Sequence, residues 1–119
     1  MPEAASSEIG VAYEQRGIES RIKLSGRITI DSSPKLRALL FRKLGAPNCQ
    51  VMIVDFCEVV YLDSSGLAVL LELLRAAKQL GKKFQLSGLK DRPRYLLEST
   101  RLLRLFDEAG NTMPTPSPV

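Results

Sequence analysis

A single α/β domain, a mixed β-sheet with α-helices packed on it, is what the order of segments in this chain predicts. Three observations carry that expectation. Segments of strand period and helix period alternate after a leading hairpin pattern. Val51-Met52-Ile53-Val54 is an unbroken apolar run, as in a central strand covered on both faces. The 119 residues, 45% hydrophobic and 25% charged, suffice for one modest core.

Residues 1–7 are expected to form a flexible N-terminus and 8–109 the folded domain. Residues 110–119, GNTMPTPSPV with three prolines, read as a disordered tail. Ile9, Val11 and Tyr13 alternate up to Gly17, and Ile18, Ser20, Ile22 and Leu24 alternate after it, as in a hairpin. Ile28 and Ile30 continue the extended segment. Asp31-Ser32-Ser33-Pro34 then starts a helix, with proline in the first turn, where its missing N–H costs nothing. Leu36, Leu39, Leu40 and Phe41 or Leu44 form the apolar stripe of that helix, which Gly45 and Pro47 end. The apolar run 51–54 ends at Asp55, and Val59 to Leu62 lead into a second polar elbow, Asp63-Ser64-Ser65-Gly66. A helix is predicted from Gly66 to Leu80, closed by Gly81. Phe84 to Leu86 is a strand, and Arg92-Pro93 opens a third helix.

Composition excludes several kinds of chemistry. The chain has no histidine, so Ser-His-Asp and Cys-His catalysis and histidine-containing zinc sites are ruled out. Two cysteines, Cys49 and Cys57, cannot supply an all-cysteine tetrahedral site and are expected to be free thiols. There is no tryptophan, and the few aromatics are scattered, unlike a stacking platform for single-stranded nucleic acid. No apolar run approaches the roughly 20 residues of a membrane span, and MPEAASSEIG has neither a basic start nor an apolar stretch. A cytoplasmic monomer or weak dimer is expected, without membrane insertion and without direct nucleic-acid binding.

Net charge is +4, unevenly spread. From Arg75 to Arg104 nine basic residues face only Asp91 and Glu98. That window is either a solvated surface or a docking surface for an acidic protein partner.

The elbow Asp63-Ser64-Ser65-Gly66 has the residues of a good N-cap. It also has those of a phosphate site, since free N–H groups and the helix dipole both favour an anion at a helix start. A phosphate on serine there would be held by those N–H groups, while Asp63 would oppose it. The helix after it is apolar well beyond a half circle. Leu67, Leu70, Leu71 and Leu74 cover one arc, and Val69, Leu73, Ala76 and Leu80 extend it. The extra flank must meet the third helix or another protein. Val69 and Leu73, nearest the elbow on that flank, are the candidate partner contacts.

Strand, Asp-Ser-Ser-Gly elbow, Leu-rich helix, Gly81, strand and a further helix together resemble the STAS domain of bacterial anti-sigma factor antagonists. The resemblance spans roughly Ile18 to Phe106. It is supported by Leu24-Ser25-Gly26, Ile30-Asp31, Val54-Asp55-Phe56, Gly88-Leu89 and the closing segment Leu102 to Phe106. It implies that Ser65 is a phosphorylation site and that Asp63, Ser64 and Gly66 shape the loop and the kinase contact. It further implies partner switching, with no enzymatic activity in this chain. The unphosphorylated domain would bind an anti-sigma factor that is also an ATP-dependent serine protein kinase. Phosphorylation would release it, and a metal-dependent serine phosphatase would reset the switch. The family's nucleotide belongs to the kinase. This chain has no P-loop pattern and implies no cofactor of its own.

Within the same fold, an alternative is a STAS subunit of a lipid-transport ABC complex or of a stressosome-like scaffold, with a non-switching elbow. An aspartyl phospho-acceptor at Asp55 would need a magnesium-binding acidic cluster near the first strand, and Ile22-Lys23-Leu24-Ser25 offers none. A serine hydrolase built on Leu62-Asp63-Ser64-Ser65-Gly66 lacks an ordinary base.

Overall fold

The computed structural model describes residues 9–109. Those residues form one five-stranded sheet in chain order, β1-β2-β3-β4-β5, with three α-helices between the strands. The expectations for residues 1–7 and 110–119 lie outside the described residues.

β1 (Ile9–Arg16) and β2 (Glu19–Ile28) make the expected hairpin, with Arg16 opposite Glu19. Gly17, at φ 59°, takes the first of the two turn positions, where positive φ matches the strands' twist. α1 (Ser33–Leu44), α2 (Ser64–Leu80) and α3 (Asp91–Ser99) each connect two parallel strands. β3 (Val51–Leu62) lies between β2 and β4 (Lys83–Ser87), and β5 is the short pair Asp107–Glu108 at the edge. A 3₁₀ turn, Leu103–Leu105, leads into β5. β2 through β5 run parallel, so every strand-to-helix turn lies at the same end of the sheet.

The core has one main layer. Ile22 and Leu24, Met52, Val54 and Phe56, and Phe84 and Leu86 alternate along their strands and so share one face. Buried residues of all three helices join them in one cluster. Among the described residues the opposite face carries no second layer. Ile53 is buried there, among Ala12, Glu14, Arg21, Lys23 and Asp55. The unbroken apolar run thus marks a central strand, but only one of its residues fills the far side.

β3 is longer than the expected run ending at Asp55. It continues through Asp55-Phe56-Cys57-Glu58 to Leu62 because two register shifts against β2 absorb extra residues. At the first shift the Asp55 carboxylate accepts the Cys57 N–H at 2.8 Å. Gly88, at φ 67°, passes so close that a methyl there would lie 2.7 Å from Asp55 Oδ1 and from Cys57 N. The extension carries β3 beyond the end of β4 and sets the elbow at its tip.

Candidate functional site

The elbow is built by Asp63, the N-cap of α2 in extended conformation. Its Oδ1 accepts the N–H of Ser65 at 2.9 Å and of Gly66 at 3.2 Å, closing two of the helix's open donors. The same oxygen accepts the Ser65 hydroxyl at 2.6 Å. Oδ2 accepts the N–H of Ile30 at 3.1 Å, from the loop between β2 and α1. Burial pushes this carboxyl's pKa up. The Ser65 hydroxyl and the N–H groups of Gly66, Ser65 and Ile30 outweigh that effect and hold it below its usual value.

Ser65 is half-buried and its hydroxyl lies between two partners. It donates to Asp63 and accepts from the hydroxyl of Ser33 at 3.0 Å. Ser33 is buried and begins α1. The neighbouring hydroxyl of Ser32 accepts the Thr29 N–H at 3.0 Å and donates to the Arg27 carbonyl at 3.1 Å, which fixes the loop. The starts of α1 and α2 therefore meet across the Ser33–Ser65 bond. Because β2 and β3 are adjacent and parallel, the two Asp-Ser-Ser turns had to fall at one end of the sheet. The repeated tripeptide was the signal in the sequence; sequence reasoning placed only the second in the site and missed Ser33 and Ile30.

Of the six residues singled out, Asp63 and Ser65 share the hydrogen-bonded centre. Ser64 is exposed beside it. Gly66 is buried, and its lack of a side chain is a packing requirement: a methyl there would fall within 2.6 Å of Ile28 Cγ2 and closer still to Leu62 Cδ1. Two expectations need correction. Val69 and Leu73 are 5% and 0% exposed, so they are core residues and present no surface to a partner. α2 turns Leu70, Leu73 and Ala77 to the sheet, and the flank left half-exposed is Leu71 and Leu74. The apolar side chain exposed at the elbow is instead Ile30, at 67%. Nor are the N–H groups of Ser65 and Gly66 open to a phosphate, since Asp63 already occupies both.

This centre can orient a hydroxyl as an acceptor of a transferred group. Asp63 steers the Ser65 proton, and with its lowered pKa it is a weak base that positions rather than deprotonates.

The basic window divides among several elements. Lys82 Nζ donates to the carbonyls of Leu44 at 2.6 Å and Ala46 at 3.2 Å, closing the C-terminus of α1. Arg94 pairs with Glu108 at 3.0 Å and Glu98 at 3.2 Å. Arg92 lies over the Tyr61 ring. Both cysteines are free, with Cys49 buried. Among the described residues no helix is long and apolar enough to cross a membrane.

The family profile described as "Mlab, STAS domain" matches residues 11–107. The chain is 31% identical over 104 residues to the anti-sigma-B factor antagonist of Bacillus subtilis (strain 168), covering 86% of this chain and 84% of the relative. Among solved structures, the anti-sigma factor antagonist SpoIIAA in its unphosphorylated form aligns with a TM-score of 0.72 at 17% identity, over 86% of this chain and 90% of the other. The phosphorylated form of Bacillus SpoIIAA gives 0.67 at 17% identity, over 86% and 93%. An anti-sigma factor antagonist from Mycobacterium paratuberculosis gives 0.72 at 20% identity, over 92% of each chain.

Proposed function

The chain belongs to the STAS domain family, among the anti-sigma factor antagonists, and we propose that it acts by partner switching at Ser65. Unphosphorylated, it binds an anti-sigma factor that is also an ATP-dependent serine kinase. That kinase transfers phosphate to Ser65 and is released, and a metal-dependent serine phosphatase restores the binding form. Asp63 and Gly66 shape the elbow, exposed Ser64 contacts the partner directly, and Ile30 supplies the apolar contact first assigned to Val69 and Leu73.

The observation that carries this reading is the hydroxyl of Ser65, aimed by Asp63 and Ser33 at the tip of the central strand. A phosphate there brings about −1.5 to −2 charges next to a carboxylate that is itself ionised. At an effective dielectric near 20, two like charges about 4 Å apart repel by roughly 4 kcal/mol. Either Asp63 gives up the two α2 N–H groups to the phosphate, or the phosphate points outward into the partner. The first route also breaks the bond from Ile30 N–H to Asp63 and moves the exposed Ile30. The second buries a dianion in an interface. Both disfavour the complex while leaving the sheet intact. That the fold matches both forms of SpoIIAA supports a local switch.

The test titrates wild type, Ser65→Ala and Ser65→Asp against the cognate kinase, with and without ATP. Ser65→Ala is expected to bind as wild type and to stay unphosphorylated. Ser65→Asp is expected to bind at least about tenfold more weakly, a difference of about 1.4 kcal/mol. Equal binding by Ser65→Asp, or phosphate appearing only elsewhere, would overturn the switch. The chain would then be a subunit held permanently by its partner, with a structural elbow.

A further inference from the structure

Among the described residues α2 keeps an apolar strip that nothing covers, and its surroundings say what fits it. Leu71 and Leu74 are half-exposed on α2. Across a groove from them stands Leu105 of the 3₁₀ turn, 42% exposed. The groove runs on past Lys78 to Lys83 at the start of β4, with Phe84 at its base. Arg75, Lys78 and Lys83 rim it, and among the described residues none of the three is in an ion pair. Asp107 is the one acidic group lining it among the described residues. Lys82 also lines it, but its ammonium is held by the end of α1.

We propose that this groove docks an acidic amphipathic helix of a partner protein, independently of the elbow. The floor takes apolar side chains spaced three or four residues apart, and the rim of cations takes the flanking carboxylates. From Leu71 to Lys78 the helix rises about 10 Å, room for two turns of such a segment. A nucleic acid does not suit a floor of leucines without a stacking surface. A lipid surface does not suit leucines recessed between two elements, because a bilayer takes apolar groups that project. Arg75, the rim cation nearest the elbow, lies ten residues along α2 from Ser65, about 15 Å away. That exceeds the screening length of about 8 Å at physiological salt, so a phosphate on Ser65 neither blocks nor attracts the segment. The two sites thus let one partner hold the chain at one point while the elbow is switched, or let two partners bind together.

The test uses the full chain and a short synthetic helical peptide with leucines on one face and glutamates beside them. A second peptide of the same composition, with its leucines spread around the helix, is the control. Vesicles of phosphatidylglycerol form the third arm. The ordered peptide is expected to bind saturably and to shift the methyl resonances of Leu71, Leu74 and Leu105. Arg75→Glu with Lys78→Glu, both exposed positions, is expected to weaken it at least about tenfold. Leu105→Ala, on the opposite wall, is expected to weaken it without any change of charge. Ser65→Asp is expected to leave it unchanged within about twofold, so failure here and failure at the elbow are read separately. No saturable binding, equal binding of the control peptide, shifts elsewhere, or full affinity in the variants would overturn the proposal. Vesicles that shift the same methyls and displace the peptide would overturn it too, in favour of a lipid surface.

Discussion

Well above its ordinary pKa of 3.8, Asp63 is ionised in the folded and the unfolded chain alike. Its folded value is lower, because four donors favour the carboxylate more than burial opposes it. A depressed folded value means that the contribution to stability is fully present above 3.8 and is lost as pH falls through the folded value. Asp63→Asn removes that charge. Asparagine ranks with aspartate as an N-cap and keeps one oxygen for the Ser65 and Gly66 N–H groups, but it does not titrate, and its amide nitrogen cannot accept the Ile30 N–H that Oδ2 takes. Hydrogen bonds to a charged acceptor exceed neutral ones by about 1 kcal/mol, and the Ile30 bond is lost as well, so the variant is expected to lose about 1–3 kcal/mol at neutral pH. Urea unfolding at neutral pH and at a series of pH values below 3.8 checks it: the gap to wild type should narrow as pH falls. A gap that stays constant would show that geometry, not charge, is what Asp63 supplies. The same residue explains why a favourable phosphate site was expected and not found. Four letters of sequence show a helix start and an acid before it, but not which of two anions takes the N–H groups.

On α2, the period of 3.6 made the width of the apolar arc legible but not its centre. Ten of seventeen residues are apolar, so any of several rotations places leucines inward. What fixes the rotation is Gly66, which must sit against Ile28 and Leu62, together with α1 on one side, tied by Arg37 to Glu72. Those are long-range contacts that no window of the sequence contains. The elements themselves, their order, the hairpin and the second elbow were legible because each has a local cause in alternation, capping or a glycine stop. β3 was read short for the same reason in reverse. Asp55 and Glu58 look like a strand's end until a bulge and Gly88 give them a place. The rotation of α2 is checked by truncating one leucine from each side. Leu73→Ala removes a fully buried side chain and is expected to cost about 2–5 kcal/mol. Leu71→Ala, half-exposed, is expected to cost less than about 1.5 kcal/mol, because less surface is uncovered and no closed cavity is left. Equal losses in thermal or urea unfolding would restore the original orientation.

Across the molecule, chain order and sheet order coincide, so stability grades from the centre outward. β3 pairs on both sides and carries Met52, Val54 and Phe56 in the core. β5 is two residues long, held by its pairing with Gln85 and Leu86, by Arg94 on Glu108, and by the Ala109 N–H on Leu86. Amide exchange is therefore expected to be slowest at 52–56, where it requires global unfolding, and faster by at least about tenfold at 107–109, where local opening suffices. Ser65 stands at the tip of the most protected strand, on a helix whose core face is anchored to it. A charge added there meets a rigid support and a soft neighbour, the loop of residues 29–33 that reaches Asp63 through one N–H. Ser65→Asp is thus expected to raise exchange in residues 29–33 and 63–67 and to leave 52–56 unchanged. Loss of protection along β3 would mean that the added charge acts by opening the sheet, and release of a partner would then be a matter of folding rather than of the elbow. Protection unchanged everywhere would mean that Asp63 holds its bonds and the charge points outward, so that repulsion in the interface alone drives the partner off.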